Sequence, residues 1–142
     1  KTNCGAAVAP EVPKMIRDLI VPIRRTVEVY ALRLIFSDLT EGDFQTWENI
    51  LARMKVACAR QNLHTVAECD LAFHRAIVER AAQPDLLAIW ETLIGRLRSH
   101  FRRSQRQLAR LSDIYDEHRE LLEVFRGCDE EAAVEQLTAK ID

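Results

Sequence analysis

The stretch VAECDLAFHRAI, residues 66–77, decides the fold. Its apolar residues Val66, Phe73 and Ile77 recur at the spacing of one face of an α-helix. Asp70 and His74 lie four residues apart and share that apolar face. A buried polar group without a partner costs about 1–3 kcal/mol. The sequence therefore predicts a helix that carries paired polar groups into the interior of the protein.

A second segment shows the same pattern, because His118 lies within the apolar stripe formed by Ile114, Leu121 and Phe125. If both helices face one interior, a carboxylate and two imidazoles converge there, and these groups hold zinc or a similar divalent ion in many proteins. The sequence predicts a metal site at Asp70, His74 and His118, with positions left open for water or an anion. The alternative is a buried hydrogen-bond network in which the three side chains satisfy one another.

The rest of the chain repeats the helical period, and no segment alternates long enough to predict a sheet. Short connections between helices favour antiparallel neighbours. We therefore expect an all-α fold, an antiparallel bundle of about six helices. The first predicted helix runs from about Lys14 to Ser37, with a start, break or kink at Pro22. The others begin after Thr40, after Thr65 with the capping box Thr65-x-x-Glu68, at Pro84, after Ser112 or Asp113 with an end at Gly127, and after Asp129.

The first helix also contains an ion pair, Arg24 and Glu28, at a spacing of four residues. The ordinary interpretation of such a pair is a contact on the helix surface. The apolar stripe predicted to face the core of the bundle is Ile16, Ile20, Ile23, Val27, Tyr30 and Leu34.

Composition excludes several classes of function. The chain has 142 residues and a formal net charge of -2, so bulk charge does not indicate nucleic-acid binding. No apolar run approaches the roughly 20 residues of a membrane span. We expect no signal peptide, because the first residues of the sequence have no long apolar core. The four cysteines form no CxxC pair, which favours reduced thiols and a cytoplasmic location.

A basic stretch runs from Arg96 to Arg110 without an acidic residue. Such a run commonly covers the solvated outer face of a long helix. The functional alternative is that Arg96 or Arg98 turns inward and grips a carboxylate, since a guanidinium group makes bidentate contacts with that anion.

The motifs, taken together and in order, resemble the C-terminal ligand-sensing domain of FadR-type GntR transcription regulators, the FCD domain. Arg24-x-x-x-Glu28 is similar to a motif of that domain's first helix. The other residues that carry the resemblance are Asp70-Leu71-Ala72-Phe73-His74, Leu87 to Leu93 with Trp90, Glu117-His118, Leu121-Leu122, and Asp129 with Ala132-Ala133.

The resemblance covers about Ile16 to the end of the chain. The segment Gly5-Ala6-Ala7-Val8-Ala9-Pro10 is similar to the last strand of the winged-helix wing that precedes this domain. We therefore expect residues 1–13 to be a remnant of the wing and linker, residues 14–142 to be the helical effector-binding domain, and the DNA-binding domain to be largely absent from this chain.

The resemblance implies that the helical bundle surrounds a central ligand or metal cavity. It also implies a metal held there by one aspartate and three histidines, which helps to bind a small carboxylate. Asp70, His74 and His118 match three of these ligands, but Lys140 stands where the fourth histidine is expected. A protonated lysine is a poor metal ligand. Three outcomes stay open: weaker metal binding with water in the empty position, an ammonium group that pairs with Asp70 at the centre, or a solvated Lys140 near the end of the chain.

The function we expect is allosteric sensing of a small organic acid or similar metabolite in a homodimeric bacterial transcription regulator that contacts DNA through the missing winged-helix domain. Arg24, Arg96, Arg98 and Lys140 are the candidate effector-binding residues. We do not expect an enzyme or a membrane partner. Two alternatives are a metal-dependent hydrolase or lyase that uses the Asp-His-His centre, and a structural helical interaction domain.

Overall fold

The fold is described from a computed structural model that covers residues 13–106 and 110–141, without the side chains of residues 99–106. Within these residues the chain forms α-helices and no strand, which confirms the predicted all-α class. A π-helical turn, Ile16–Ile20, leads into the first helix, and a 3-10 turn, Phe36–Asp38, follows it. The six α-helices are α1 (Val21–Ile35), α2 (Glu41–Ala59), α3 (Leu63–Arg80), α4 (Pro84–Arg106), α5 (Leu111–Arg126) and α6 (Glu130–Lys140).

Helix α3 is the centre of the bundle, because α1, α2, α4 and α5 all pack against it. Helix α6 closes the remaining side by packing on α1 and α5. The core between these helices is apolar and aromatic, and Trp47, Phe73 and Phe125 are its largest aromatic members. Since α3 is surrounded, the polar residues of its stripe lie in the interior and face several helices at once.

Side-chain caps fix the starts of α2, α3 and α6, and those of α2 and α6 were predicted. Thr40 and Asp43 form a reciprocal capping box at α2, with distances of 3.3 Å and 2.8 Å, and the Asp129 carboxylate caps α6. The predicted N-cap of the third helix was wrong. Helix α3 begins two residues before Thr65, because the Asn62 side chain accepts a hydrogen bond from the Thr65 backbone N–H at 3.1 Å.

The predicted core stripe of the first helix was also wrong in part. Ile16 and Val27 are buried, but Ile23, Tyr30 and Leu34 are exposed by 36%, 57% and 42%. The face that α1 turns inward carries Val21, Arg24, Val27, Glu28, Ala31, Leu32 and Ile35. The inward face includes a charged pair, so the apolar residues alone did not identify it.

None of the described helices combines the length and the apolar composition required to cross a lipid bilayer.

Candidate metal and effector centre

The three predicted metal ligands come together inside the bundle. Helix α3 contributes Asp70 and His74, and α5 contributes His118. All three residues are buried, and one ligand atom from each lies within 4.8 Å of the other two. A carboxylate oxygen and two imidazole nitrogens at this separation form a donor set that suits zinc and similar divalent ions.

The contacts at Asp70 require a positive species between the side chains. His118 Nε2 lies 2.6 Å from Asp70 Oδ1, and His74 Nε2 lies 3.5 Å from the same oxygen. Two lone pairs would repel at 2.6 Å, so a proton lies between His118 Nε2 and Asp70 Oδ1 in a hydrogen bond. Burial by itself raises the pKa of Asp70, but the two imidazoles lower it well below the ordinary range. The group at the centre is therefore a carboxylate.

The outer nitrogen of each imidazole is held by an acceptor. His118 Nδ1 donates to the backbone carbonyl oxygen of Ile114 at 2.7 Å, one turn earlier in α5. His74 Nδ1 donates to Glu28 Oε1 at 2.6 Å. Because both Nδ1 atoms carry a proton, both Nε2 atoms are directed towards Asp70. This arrangement is typical of metal-binding histidines, whose outer N–H is fixed by a carboxylate or a backbone carbonyl.

Glu28 is the main residue of the site that sequence reasoning missed. The Arg24–Glu28 pair was assigned to the helix surface, and that assignment was wrong. Arg24 Nε donates to Glu28 Oε2 at 2.7 Å with both side chains buried, and Trp90 Nε1 donates to the same oxygen at 2.8 Å. The spacing Val21, Glu28, Ile35 was the available signal, because residues seven apart return to the same helix face.

The pKa values of Glu28 and His74 are shifted in opposite directions. Burial raises the pKa of Glu28, but the His74 imidazole and the Arg24 guanidinium outweigh it and bring the value to about 2. Burial lowers the pKa of His74, but the carboxylates of Glu28 and Asp70 raise it to about 9. At neutral pH these residues therefore form a buried chain of alternating charge from Arg24 to Asp70.

The predicted effector-binding residues occupy different environments. Arg24 reaches the centre through Glu28. Arg96 and Arg98 are exposed on α4, and Arg98 pairs with Glu68 at 2.6 Å. Lys140 is half-buried in the last turn of α6. Asp70 makes ion pairs with His74 and His118. A role in effector binding stays a prediction for all four residues.

A groove of about 360 Å³ lies between α3 and α4, next to the centre. Its floor includes Leu71, Trp90 and Ile94, which are buried. Two ion pairs cross it, Arg75 with Glu91 at 2.7 Å and Glu68 with Arg98 at 2.6 Å. Trp90 connects the two features, because its ring lines the groove while its Nε1 donates to Glu28.

Comparison with known proteins agrees with this geometry. Residues 19–142 match the FCD domain family. The chain belongs to this family. The sequence resemblance to the C-terminal domain of FadR-type GntR regulators is therefore confirmed, and the FCD domain is a regulatory, effector-sensing domain of such proteins.

A solved structure of E. coli McbR/YncC is similar to this FCD domain, with a TM-score of 0.76 and 22% sequence identity. The superposition covers 92% of this chain and 62% of the other, so the FCD domain spans less than two thirds of that protein. At this identity the likeness supports the fold alone. No curated protein matches the sequence.

Proposed function

We propose that this FCD domain binds a divalent metal ion through Asp70, His74 and His118, and with it a small carboxylate effector. Binding then changes how DNA-binding domains outside the described residues contact DNA. The observation that carries the proposal is the convergence of the three ligands with both Nδ1 atoms fixed by acceptors. An allosteric effector of this kind needs a difference in affinity between two states, typically about 1–3 kcal/mol.

The protein's own residues supply the surroundings that such a centre needs. A bound divalent metal would supply a concentrated positive charge that attracts a carboxylate. Glu28 and the Ile114 carbonyl orient the two imidazoles, and the buried Arg24 adds positive charge beside them. Lys140, at the end of α6, is a candidate for an additional positive charge towards the effector. Arg96 and Arg98 are candidates for the same role on α4.

A regulatory role is proposed rather than a catalytic one. Water activation by the same three ligands would need a general base close to the open coordination position. Glu117 is the acid next to His118, but adjacent residues of an α-helix point about 100° apart. The family to which the chain belongs supports sensing. A cytoplasmic location belongs to this proposal as well.

Metal analysis of the purified protein tests the centre directly. We expect elemental mass spectrometry to find about one equivalent of zinc or a similar ion per chain. In His74→Ala we expect a much lower metal content. The matched control is His64→Ala, since His64 is an exposed histidine near the start of the same helix. Equal metal content in the wild type and His74→Ala would contradict the proposed site.

Lys140 is tested by the substitution Lys140→His. If Lys140 faces the centre, a fourth imidazole raises the affinity for zinc, which is measured by competition with a coloured chelator. An unchanged affinity would place Lys140 in the solvent.

The effector class is tested by a thermal-shift panel of small carboxylates, run with and without chelator. A true effector raises the unfolding temperature in proportion to the logarithm of its concentration above the dissociation constant. We expect this stabilisation to depend on the metal and to disappear in His74→Ala. Uncharged analogues of the same acids are the controls, and a panel without any stabilising acid would exclude this class of effector.

A further inference from the structure

We propose that Glu28 relays the occupancy of the centre to helix α4 through Trp90. The inference rests on the proposed function and concerns how a bound ion is sensed by the surrounding helices. A single carboxylate on α1 joins a candidate metal ligand on α3 to an indole on α4. Glu28 is thus a positioning residue, which acts on the metal through His74.

The contacts of Glu28 are divided between its two oxygens. Oε1 accepts from His74 Nδ1 at 2.6 Å, whereas Oε2 accepts from Arg24 Nε at 2.7 Å and from Trp90 Nε1 at 2.8 Å. The side chains of Glu28, His74 and Arg24 are at most 1% exposed, and Trp90 is 2% exposed. With no solvent to compensate, a change in one hydrogen bond of the carboxylate alters the others.

A cation on His74 Nε2 would change the bond that Glu28 makes. Such a cation would change the donor strength of Nδ1–H, and with it the hydrogen bond that Glu28 Oε1 accepts from His74. Because the same carboxylate also accepts from Trp90 Nε1, the strength of that second hydrogen bond changes as well. Trp90 also lies in the floor of the groove between α3 and α4, so the change is carried to the packing of these two helices.

The substitution Glu28→Gln breaks the relay in a defined way. A glutamine amide offers one acceptor oxygen, and the charged Arg24 together with Trp90 competes best for it. The amide NH₂ group then faces His74 and donates to Nδ1, which moves the imidazole proton to Nε2. A protonated Nε2 cannot bind a metal ion, so we expect zinc affinity to fall by about 10- to 100-fold.

Tryptophan fluorescence can measure the relay. The sequence contains two tryptophans, so in Trp47→Phe all tryptophan emission comes from Trp90. Trp47 lies on α2 and donates to the Phe73 carbonyl, away from Glu28. In Trp47→Phe we expect zinc to shift the Trp90 emission, with a midpoint that matches the zinc affinity from chelator competition. In Trp47→Phe/Glu28→Gln, at zinc concentrations that saturate the weakened site, we expect the emission to stay unchanged.

The outcomes separate the relay from the proposed function. Zinc that binds Trp47→Phe without a change in Trp90 emission would overturn the relay and leave the metal site intact. The relay would also be overturned if zinc-saturated Trp47→Phe/Glu28→Gln showed the same shift in Trp90 emission as Trp47→Phe. Absence of zinc binding to Trp47→Phe, with far-UV circular dichroism as in the wild type, would overturn the proposed metal site itself.

A second variant keeps the test valid if Glu28→Gln does not fold. Trp90→Phe removes one donor to Glu28 but retains an aromatic ring. Coupling is reciprocal, so a relay that runs from the centre to Trp90 also runs back. With Trp90 removed, the hydrogen bond between Glu28 and His74 changes, and we expect zinc affinity to change by about fivefold or more. Trp47→Phe is the control and should leave the zinc affinity unchanged. Equal zinc affinities in Trp90→Phe and Trp47→Phe would contradict the relay.

Discussion

At the level of single side chains, the sequence predicted some residues of the centre and missed another. Asp70, His74 and His118 were found because each is a polar residue within a clear apolar stripe. Glu28 was not found, because a charged pair four residues apart is most often an exposed contact of little energy. Only the partners on α3 and α4, which are distant in sequence, make Glu28 an interior residue.

Burial of the Arg24–Glu28 pair predicts a large effect of Arg24→Met on stability. The substitution leaves Glu28 as a buried carboxylate without its guanidinium partner, and breaking a buried pair costs about 3–5 kcal/mol. The control is Lys14→Met, which removes the exposed Lys14–Asp18 pair at the same spacing and should cost less than about 0.5 kcal/mol. Urea unfolding measures the loss in the free energy of unfolding for both variants. Equal losses would contradict a buried position for Arg24.

The raised pKa of His74 predicts a loss of stability at alkaline pH in chelator-treated protein. The pKa of His74 is about 9 in the folded state, whereas the ordinary pKa of a histidine is 6.5. The contribution of His74 to the free energy of unfolding is therefore complete below about pH 6.5 and is lost as the pH rises through 9. Urea unfolding at pH 7, 8, 9 and 10 should show a decline for the wild type that is smaller in His74→Gln. A decline of equal size in both proteins would refute the assignment.

At the level of helices, periodicity predicted the number and order of the elements well, but their ends and faces less well. The boundaries of α2 and α6 followed from strong caps at Thr40 and Asp129. The start of α3 was misplaced because Asn62 and Thr65 are both acceptable N-caps. The orientation of α1 was misjudged because its two faces are both partly apolar, and the polar residues of the inward face are satisfied only by other helices.

The cap of α3 gives a prediction that distinguishes the two candidate residues. Asn62→Ala removes the side-chain oxygen that accepts from Thr65 N–H, and we expect a loss of about 1 kcal/mol in the free energy of unfolding. Thr65→Ala removes no such acceptor and should cost a few tenths of that value. Chemical denaturation of both variants provides the measurement. A larger loss for Thr65→Ala would restore the original assignment.

At the level of the assembled bundle, the surface of α1 predicts where two copies meet. Leu19 of the preceding π-helical turn and Ile23, Tyr30 and Leu34 of α1 are exposed, and we call them the α1 stripe. A groove of about 380 Å³ lies beside it, lined by Arg25, Thr26, Val29, Tyr30 and Arg33. Since symmetric dimers are the commonest oligomers, we propose that the homodimer uses this stripe.

The double substitution Ile23→Glu/Leu34→Glu places two charges in the α1 stripe. We expect light scattering coupled to size-exclusion chromatography to show a dimer for the wild type and a monomer for the variant. Charges buried in an apolar interface without partners are strongly unfavourable. Val56→Glu changes an equally exposed apolar residue on α2 and should remain dimeric. If the double variant remains dimeric, the interface lies on another face of the protein.

The three-way hydrogen bonding of Glu28 also bears on how this protein can vary in evolution. Arg24, His74 and Trp90 all donate to one buried carboxylate, so replacing any of them leaves the others with an unbalanced charge or an unused donor. Single substitutions within this quartet should be rarely tolerated, while joint replacements can be neutral. Among related sequences the four positions should therefore covary, and a lineage that loses Glu28 should have changed His74 or Arg24 as well.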